Sequence, residues 1–329
     1  MRYALGVPTP DKTQSIPRVK RINRAILDEE RRLRDALPWL RHQDTLCLLI
    51  YGASVALISG AAAGYLTGVL PWWAALVLVT LALSMLHELE HDLIHALYFQ
   101  KQPWAQDLLF AGIFLAKMSM DPWTRRKIHL RHHRVSGQAV DVEERLIGLG
   151  MPMGPRRLLL TIVPAFTVLV WPDIYRALRA EKGTHPDRAS VWQRLARLLS
   201  AGFALLPFVV VPAAVAGSPV AVAALVLYVG PNTLRHASIA FVSSSSHYYG
   251  DIPDNAVYYQ NQILDHWLLL PLQAFCFNFG ATHVLHHYVV RQPFYIRQLV
   301  APGVLPVLLE EGVRRNDLGT FRRANRWGG

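Results

Sequence analysis

The sequence predicts an all-α integral membrane protein with four transmembrane helices, arranged as two hairpins, and a cytoplasmic helical cap that holds clusters of histidine. Two observations predict this fold class. Of the 329 residues, 52% are apolar and only 17% are charged, whereas a soluble domain usually carries about 25% charged residues. Lysine and arginine are also missing from two long windows, between Arg41 and Lys101 and between Arg197 and Arg235.

Each window is long enough to cross a bilayer twice, since one crossing needs about 20 apolar residues. The first window has uncharged stretches at 45–69 and 74–86, separated by a Pro-Trp-Trp turn. The second has apolar stretches at 198–216 and 220–234, separated by a Gly-Ser-Pro turn. Because Trp favours the interface and Lys and Arg stay on the cytoplasmic side, we expect both turns outside and both termini in the cytoplasm.

The basic residues divide the chain into three expected segments. These are a cytoplasmic N-terminal arm over 1–44, a membrane domain over 45–300 and a basic cytoplasmic tail over 301–329. The net charge of +11 lies outside the two windows, so we interpret it as a topology signal. No zinc finger or RNA-binding motif accompanies it. The expected partner is therefore the lipid bilayer and not a nucleic acid.

Histidines form three clusters with helical spacing. On an α-helix, residues i, i+3 and i+4 share a face, so each cluster presents several imidazoles to one side. Imidazole suits iron, copper and zinc. Eight or more histidines exceed what one four-coordinate zinc uses and suit two six-coordinate irons with positions left open for dioxygen. The clusters are His87, His91 and His95 in HELEHDLIH, His129, His132 and His133 in HLRHH, and His283, His286 and His287 in HVLHH.

All three clusters are expected on one side of the membrane. His91 follows Trp73 by a distance of about 27 Å along a helix with a rise of 1.5 Å per residue, and the hydrocarbon core is about 30 Å thick. The first cluster therefore emerges at the cytoplasmic face, where the other two also lie. One of His236, His247 and His266, which precede the third cluster, is expected to complete the site, and we favour His247.

The residues around these clusters resemble the three histidine boxes of the membrane fatty acid desaturase and hydroxylase superfamily. The matching runs are HDLIHALYF at 91–99, WTRRKIHLRHHRVSG at 123–137 and FNFGATHVLHH at 277–287, and the resemblance extends over about 46–298. It implies that His91, His95, His129, His132, His133, His283, His286 and His287 are iron ligands. It also implies one more ligand, a histidine or an asparagine acting through water, from the last span or just beyond it.

The first box can be read in two registers. His87 to His91 also forms HExxH, which is the form seen in alkane and sphingolipid hydroxylase relatives. Either His87 or His95 therefore completes this box, and the sequence leaves the choice open. A remote alternative reads the same HExxH as an intramembrane zinc protease with Glu88 as general base, but that reading leaves both HxxHH runs unused.

The resemblance implies oxygen-dependent oxidation of a long-chain acyl substrate by two irons, with dioxygen as co-substrate. Desaturation is the expected outcome, and hydroxylation or oxidative decarboxylation to a terminal alkene would use the same metal core. The sequence has neither a haem-binding HPGG nor a CxxC pair. We therefore expect a separate electron donor of the ferredoxin, rubredoxin or cytochrome b type.

Polar residues near the boxes are candidates for supporting roles. Acidic and amide side chains are expected to orient the imidazoles by accepting their second N–H; the candidates are Glu88, Asp92, Asp141 and Asn278, with Glu90 and Glu143 nearby. Three basic residues, Arg125, Arg126 and Lys127, are candidates for binding an anionic headgroup, although the positive-inside bias also accounts for them.

Two other classes of protein fit poorly. A ferritin-like di-iron carboxylate protein needs a second Glu-x-x-His motif besides the one at Glu88 and His91, together with two further glutamates, and the sequence has no second motif. A transporter that uses intramembrane histidines needs ionisable groups at the middle of its spans, and these spans carry almost none.

Overall fold

The protein is described by a computed structural model. It describes residues 11–138, 140–148, 151–163, 166, 171–172, 176, 191–250 and 252–322. Within these ranges the chain is mainly helical, and its β-structure consists of isolated bridge residues, which include the pairs His247–Asn261 and Ile263–Arg315. The predicted all-α class is confirmed.

The described helices follow in chain order. They are α1 (Lys12–Ala36), α2 (Gln43–Leu66), α3 (Trp72–Ile94), α4 (Pro103–Ala116), α5 (Pro122–Val135), α6 (Val142–Leu146), α7 (Pro155–Ile162), α8 (Val191–Val215), α9 (Pro219–Ala224), α10 (Gly230–Ser246), α11 (Val257–Gln260), α12 (Leu270–Ala274), α13 (Phe279–Tyr288) and α14 (Phe294–Glu310). Single 3₁₀ turns lie at Pro38–Arg41, Trp267–Leu269 and Leu318–Phe321.

Three helices are long and apolar enough to cross a membrane: α2, α3 and Trp192–Val215 of α8. They correspond to the first predicted hairpin and to the first half of the second. The fourth predicted span runs from α9 through a π-helical turn, Leu225–Val229, into α10. In the described part of the chain, the count reaches four only if Trp267–Ala274 and Phe279–Tyr288, bent by 81°, form one span. The position of the fourth crossing stays a prediction.

Helix α3 is the centre of the fold. Helices α2 and α10 pack against it, so Leu83, Leu86 and Leu89 are buried. By contrast, α2 leaves Leu48 and Leu49 more than half exposed, as expected for a helix that faces lipid. The last turns of α3 change from apolar to ionisable side chains that are also buried. Buried polar groups need partners, and the neighbouring helices supply them.

Helix α5 begins at a well-defined N-terminus. The side chain of Asp121 accepts a hydrogen bond from the backbone N–H of Thr124 at 2.8 Å, and Pro122 occupies the first helical position. Both features favour a helix start, because the cap accepts from an otherwise unpaired N–H and proline has none to satisfy. The second histidine cluster is thereby fixed on a short helix beside the end of α3.

Helix α13, which carries the third cluster, begins after a sharp bend. Asn278 has a φ of 56° at this point, a left-handed conformation that asparagine tolerates better than most residues. The backbone approaches closely at Gly280, where a Cβ atom would lie 2.5 Å from the carbonyl oxygen of Leu264 and 2.9 Å from a methyl group of Val242. The start of α13 therefore depends on the absence of a side chain at residue 280.

Helices α1 and α14 pack together and form a separate apolar cluster. Ile22 and Ile26 of α1 lie in one buried core with Val300 and Val304 of α14. The predicted boundary at residue 300 falls within α14, and the division into three segments stays a prediction.

Replacement of Gly280 by alanine is expected to destabilise the protein by about 1–3 kcal/mol, the usual cost of overpacking a filled site. The matched control is Gly60→Ala in α2, where a Cβ atom meets nothing within 4 Å and alanine favours the helix. Thermal unfolding in detergent measures both variants. Equal melting temperatures for the two variants would contradict the close approach at Gly280.

Candidate metal centre

Nine histidines converge at the end of α3. His91 lies in its last turn and His95 at its C-cap. Helix α5 supplies three histidines and α13 supplies three more. The ninth is His247, the C-cap of α10. Helical spacing gives each cluster a common face, and the packing of the helices turns these faces toward one another.

The imidazoles form two groups of four. In each group the nitrogen atoms available to a metal all lie within 4.8 Å of one another. The first group is His91, His95, His129 and His286, and the second is His132, His247, His283 and His287.

His133 lies between the two groups. Its Nε2 atom is 2.9 Å from Nε2 of His286 and 3.1 Å from Nε2 of His129, both in the first group. Its ring centroid is also 4.8 Å from that of His287, in the second group. This imidazole therefore faces both groups.

Two carboxylates orient imidazoles of helix α5. The Nδ1 atom of His132 lies 2.6 Å from Oδ2 of Asp141, and Nδ1 of His129 lies 2.9 Å from Oε2 of Glu143. A carboxylate only accepts, so it holds the imidazole proton on Nδ1 and leaves the Nε2 lone pair directed into the cluster.

Uncharged acceptors hold the proton on Nδ1 of two more histidines. Nδ1 of His287 lies 3.1 Å from Oε1 of Gln260, and Nδ1 of His247 lies 2.7 Å from the carbonyl oxygen of Ser243. The Nε2 atoms of His287 and His247 then carry lone pairs, and they lie 3.0 Å and 3.2 Å from Nε2 of His283. Only Nε2 of His283 could carry a proton here, so at most one of these two N–N contacts can be a hydrogen bond.

The residues present fit metal ions. Both ring nitrogens of His91 and Nε2 of His95 are buried without a hydrogen-bond partner. Such atoms cost free energy unless something binds them, and a cation among the converging lone pairs would bind one nitrogen of His91 together with Nε2 of His95. A donor set made only of imidazole suits first-row transition metals.

Burial keeps the imidazoles outside the membrane spans neutral. It lowers the pKa of His129 and His133, and it lowers the pKa of His247 to about 3. Neighbouring histidines lower these pKa values further. The neutral form, which binds metals, therefore prevails at physiological pH.

Sequence reasoning missed Arg297 of α14. Its guanidinium lies 3.2 Å from Oε2 of Glu88 and 3.3 Å from Oδ1 of Asp92, and 3.1 Å from Nδ1 of His286. Two predicted supporting acids, Glu88 and Asp92, therefore act on the cluster through this arginine. No motif marks Arg297 in the sequence, because its position depends on how α14 packs against α3.

The other supporting candidates lie in different places. Asp141 contacts His132 directly, as described above, whereas the side-chain amide of Asn278 donates to Oε1 of Gln298 at 3.0 Å. Glu90 accepts hydrogen bonds from Lys117 and Arg125.

Three other predicted ligand candidates lie away from the two groups and from His133. His87 has its Nδ1 atom 3.0 Å from Nζ of Lys117. Nε2 of His236 is 3.4 Å from the carbonyl oxygen of Leu160, and Nδ1 of His266 accepts from the backbone N–H of Leu268. Because His87 and His91 do not converge, the HExxH run does not provide the ligand pair that a zinc protease needs.

The three basic headgroup candidates have separate environments. Arg125 is largely buried and faces the interior, where Nη2 lies 3.3 Å from Nε2 of His87. Arg126 donates to the backbone carbonyls of Leu93 and Ile94, so it stabilises the C-terminus of α3. Lys127 is exposed.

A cavity of about 160 Å³ adjoins the histidines. His91, His129 and His132 line it on one side, and it is closed mainly by apolar side chains of α5, α8 and α10. These include Met118, Ile128, Phe203 and Ile239. The histidine cluster therefore faces a space that suits an alkyl chain.

The fold and this site define an all-helical membrane protein with a buried polyhistidine centre. The family model described as fatty acid desaturase matches residues 67–319, which is more than half of the chain. The protein belongs to the fatty acid desaturase family, so it is an oxidoreductase of lipid metabolism that resides in a membrane. A search of curated proteins found no match.

Replacement of Asp141 by asparagine is expected to weaken metal retention about 10- to 100-fold, because the loss of an orienting acceptor typically has this effect. The control is Asp254→Asn at an exposed position. Metal content after dialysis against graded chelator measures both. If D141N and D254N lose metal at the same chelator concentration, Asp141 does not support a ligand.

Proposed function

We propose that the protein is an oxygen-dependent di-iron oxidase that desaturates the alkyl chain of a fatty acyl substrate. The convergence of nine imidazoles, eight of them in two groups of four, beside a cavity with mainly apolar walls carries this proposal. Membership of the fatty acid desaturase family supports it.

The two groups would each hold one iron, with His133 between them. In this assignment His95 completes the first box and His87 does not, because only His95 lies with His91. His247 is the ninth ligand, because it lies with the second group. When bound, the irons supply the activation of dioxygen that removes hydrogen from an unactivated C–H bond.

The protein's own residues position the ligands and exclude water. Asp141, Glu143 and Gln260 hold protons on Nδ1 atoms and so keep Nε2 atoms free. The apolar walls of the cavity hold an alkyl chain beside the histidines. Desaturation removes two hydrogen atoms from the chain, and dioxygen takes two further electrons from a separate donor and two protons to give two molecules of water.

Replacement of His95 by alanine is expected to remove at least one of two irons per chain and to abolish turnover, whereas His87→Ala keeps both irons. His42→Ala, at an exposed position, keeps both irons and full activity. Metal analysis of purified protein and product analysis by mass spectrometry measure these outcomes. One zinc per chain in active wild-type protein, or full iron content and turnover in H95A, would contradict the assignment of two irons with His95 as a ligand.

We also propose that both termini and the histidine centre face the cytoplasm, where a ferredoxin, rubredoxin or cytochrome b-type donor binds. Residues 219–246 make the fourth crossing, returning the chain from the turn after α8. Two features support this topology. Basic residues flank both apolar windows on the predicted inner side, and α10 packs against α3 and α7.

Single cysteines test the topology, because the native Cys47 and Cys276 are buried and give a low background. Thr67→Cys and Ala216→Cys, in the two turns, are expected to react with a membrane-impermeant maleimide in intact cells. Arg24→Cys and Asp254→Cys are expected to react only after permeabilisation. Labelling of D254C from outside, or protection of A216C, would contradict the arrangement.

A further inference from the structure

A cluster of buried cations lies beside the histidine centre, and the proposed metal site does not use it. Lys117 is 1% exposed and Arg235 is 3% exposed, and both line the same cavity as Arg125. That cavity is also lined by His91 and His129 of the first histidine group. The cations therefore face the space in which a substrate would meet the metals.

The three cations offer more N–H donors than Glu90 and His87 can accept, although Oε1 of Glu90 is itself buried without a partner. Glu90 accepts from Lys117 and Arg125. His87 is the other partner: its Nδ1 atom lies 3.0 Å from Nζ of Lys117 and 3.4 Å from Nη1 of Arg235, and its Nε2 atom lies 3.3 Å from Nη2 of Arg125. A neutral imidazole accepts at only one nitrogen, so one side of His87 presents an N–H to a cation.

Arg235 is the clearest case of an N–H donor without an acceptor. Its Nε atom is buried without a hydrogen-bond partner, although its guanidinium lines the cavity. An unpaired donor on a buried charge costs free energy that an anionic ligand would recover.

The charges of the cluster are also unbalanced. Lys117 and Arg125 share the carboxylate of Glu90, whereas Arg235 has no carboxylate within hydrogen-bonding distance among the residues that the structure describes. Glu143 lines the same cavity, but its carboxylate is bound to His129.

We propose that Lys117, Arg125 and Arg235 bind the carboxylate of a free fatty acid, so that the substrate is held by its carboxyl end beside the metal centre. This rests on the proposed function and names the form of its substrate. Arginine binds carboxylates through two parallel hydrogen bonds, and the two arginines and the lysine offer donors from different helices.

The size of the cavity favours a carboxylate over a larger headgroup. A cavity of about 150 Å³ accommodates a ligand of the size of benzene, so the 160 Å³ here has room for a carboxylate and a few carbon atoms. A phospholipid headgroup or a nucleotide-containing thioester is much larger. The remaining alkyl chain would extend between the apolar side chains of α8 and α10.

The position of the cations restricts which carbon is oxidised. All three contact His87 or its partner Glu90, and His87 precedes His91 by one helical turn, about 6 Å along α3. An extended chain advances about 1.2 Å per bond, so the carbon nearest the metals lies within about five bonds of the carboxyl group.

The expected products are therefore altered near the carboxyl end: a 2,3-unsaturated acid, an acid hydroxylated near the carboxyl group, or a terminal alkene with carbon dioxide. In each case dioxygen takes two electrons from the separate donor and two from the substrate. Desaturation and hydroxylation also take two protons, and decarboxylation takes three, because a bound carboxylate brings no proton of its own. Both oxygen atoms leave as water in desaturation and decarboxylation, and one stays in the alcohol in hydroxylation.

The binding test compares dodecanoate with its methyl ester on purified metal-loaded protein in detergent. Wild-type protein is expected to bind the acid at least tenfold more tightly than the ester, and Arg235→Gln and Lys117→Gln are expected to lose this preference. The matched controls are Arg24→Gln and Lys101→Gln at exposed positions, which keep it. Equilibrium binding of radiolabelled ligands measures the ratio, and unchanged metal content shows that the centre is intact.

If K117Q fails to fold, R235Q and the charge-conserving Arg235→Lys carry the test, with R235K expected to keep part of the preference. Equal binding of acid and ester by wild-type protein, an unchanged preference in R235Q, or a product altered only at mid-chain would overturn the carboxylate site. Those results in an iron-containing, active enzyme leave the proposed function standing. If active protein contains no iron but still prefers dodecanoate, the proposed function is wrong and the carboxylate site stands.

Discussion

The structure depends on one constraint: neutral imidazoles with converging lone pairs must be buried together. Nε2 atoms of His133, His283 and their neighbours lie about 3 Å apart, and the nitrogens of His91 have no partner in the protein. Cations among the nitrogens would stabilise such a cluster. The helices that carry it must therefore be fixed relative to one another by contacts outside the cluster itself.

Those contacts use oppositely charged groups on two sides of α3. On one side, Arg297 bridges Glu88 and Asp92 and reaches His286, so it joins α3, α13 and α14. On the other side, Lys117 and Arg125 bind Glu90, which joins α3 to α5 and to the segment between α4 and α5. One helix thus anchors the protein in the membrane through its apolar half and organises the site through its polar half.

The sequence predicted much of the site, and particular residues show which features could not be predicted from it. The three histidine clusters follow from spacing, because a face of a helix is a local property, and the family resemblance implied which eight of their histidines are ligands. The same periodicity could not choose between His87 and His95, since both lie one turn from His91. The structure separates them, because His95 lies at the C-cap, where the chain leaves the helix, and His87 faces Lys117. Likewise, nothing in the second window predicted the π-helical turn at Leu225–Val229.

By itself, the sequence determined the all-α class, the apolar windows and the candidate metal ligands, because hydropathy and helical spacing are local properties of the chain. The tertiary structure decided which of these residues meet. It placed His247 with the second group, Arg297 beside His286, and Lys117 and Arg235 in one cavity with Arg125. These residues are far apart in sequence, and only the packing of α3 against α5, α10 and α14 brings them within contact distance.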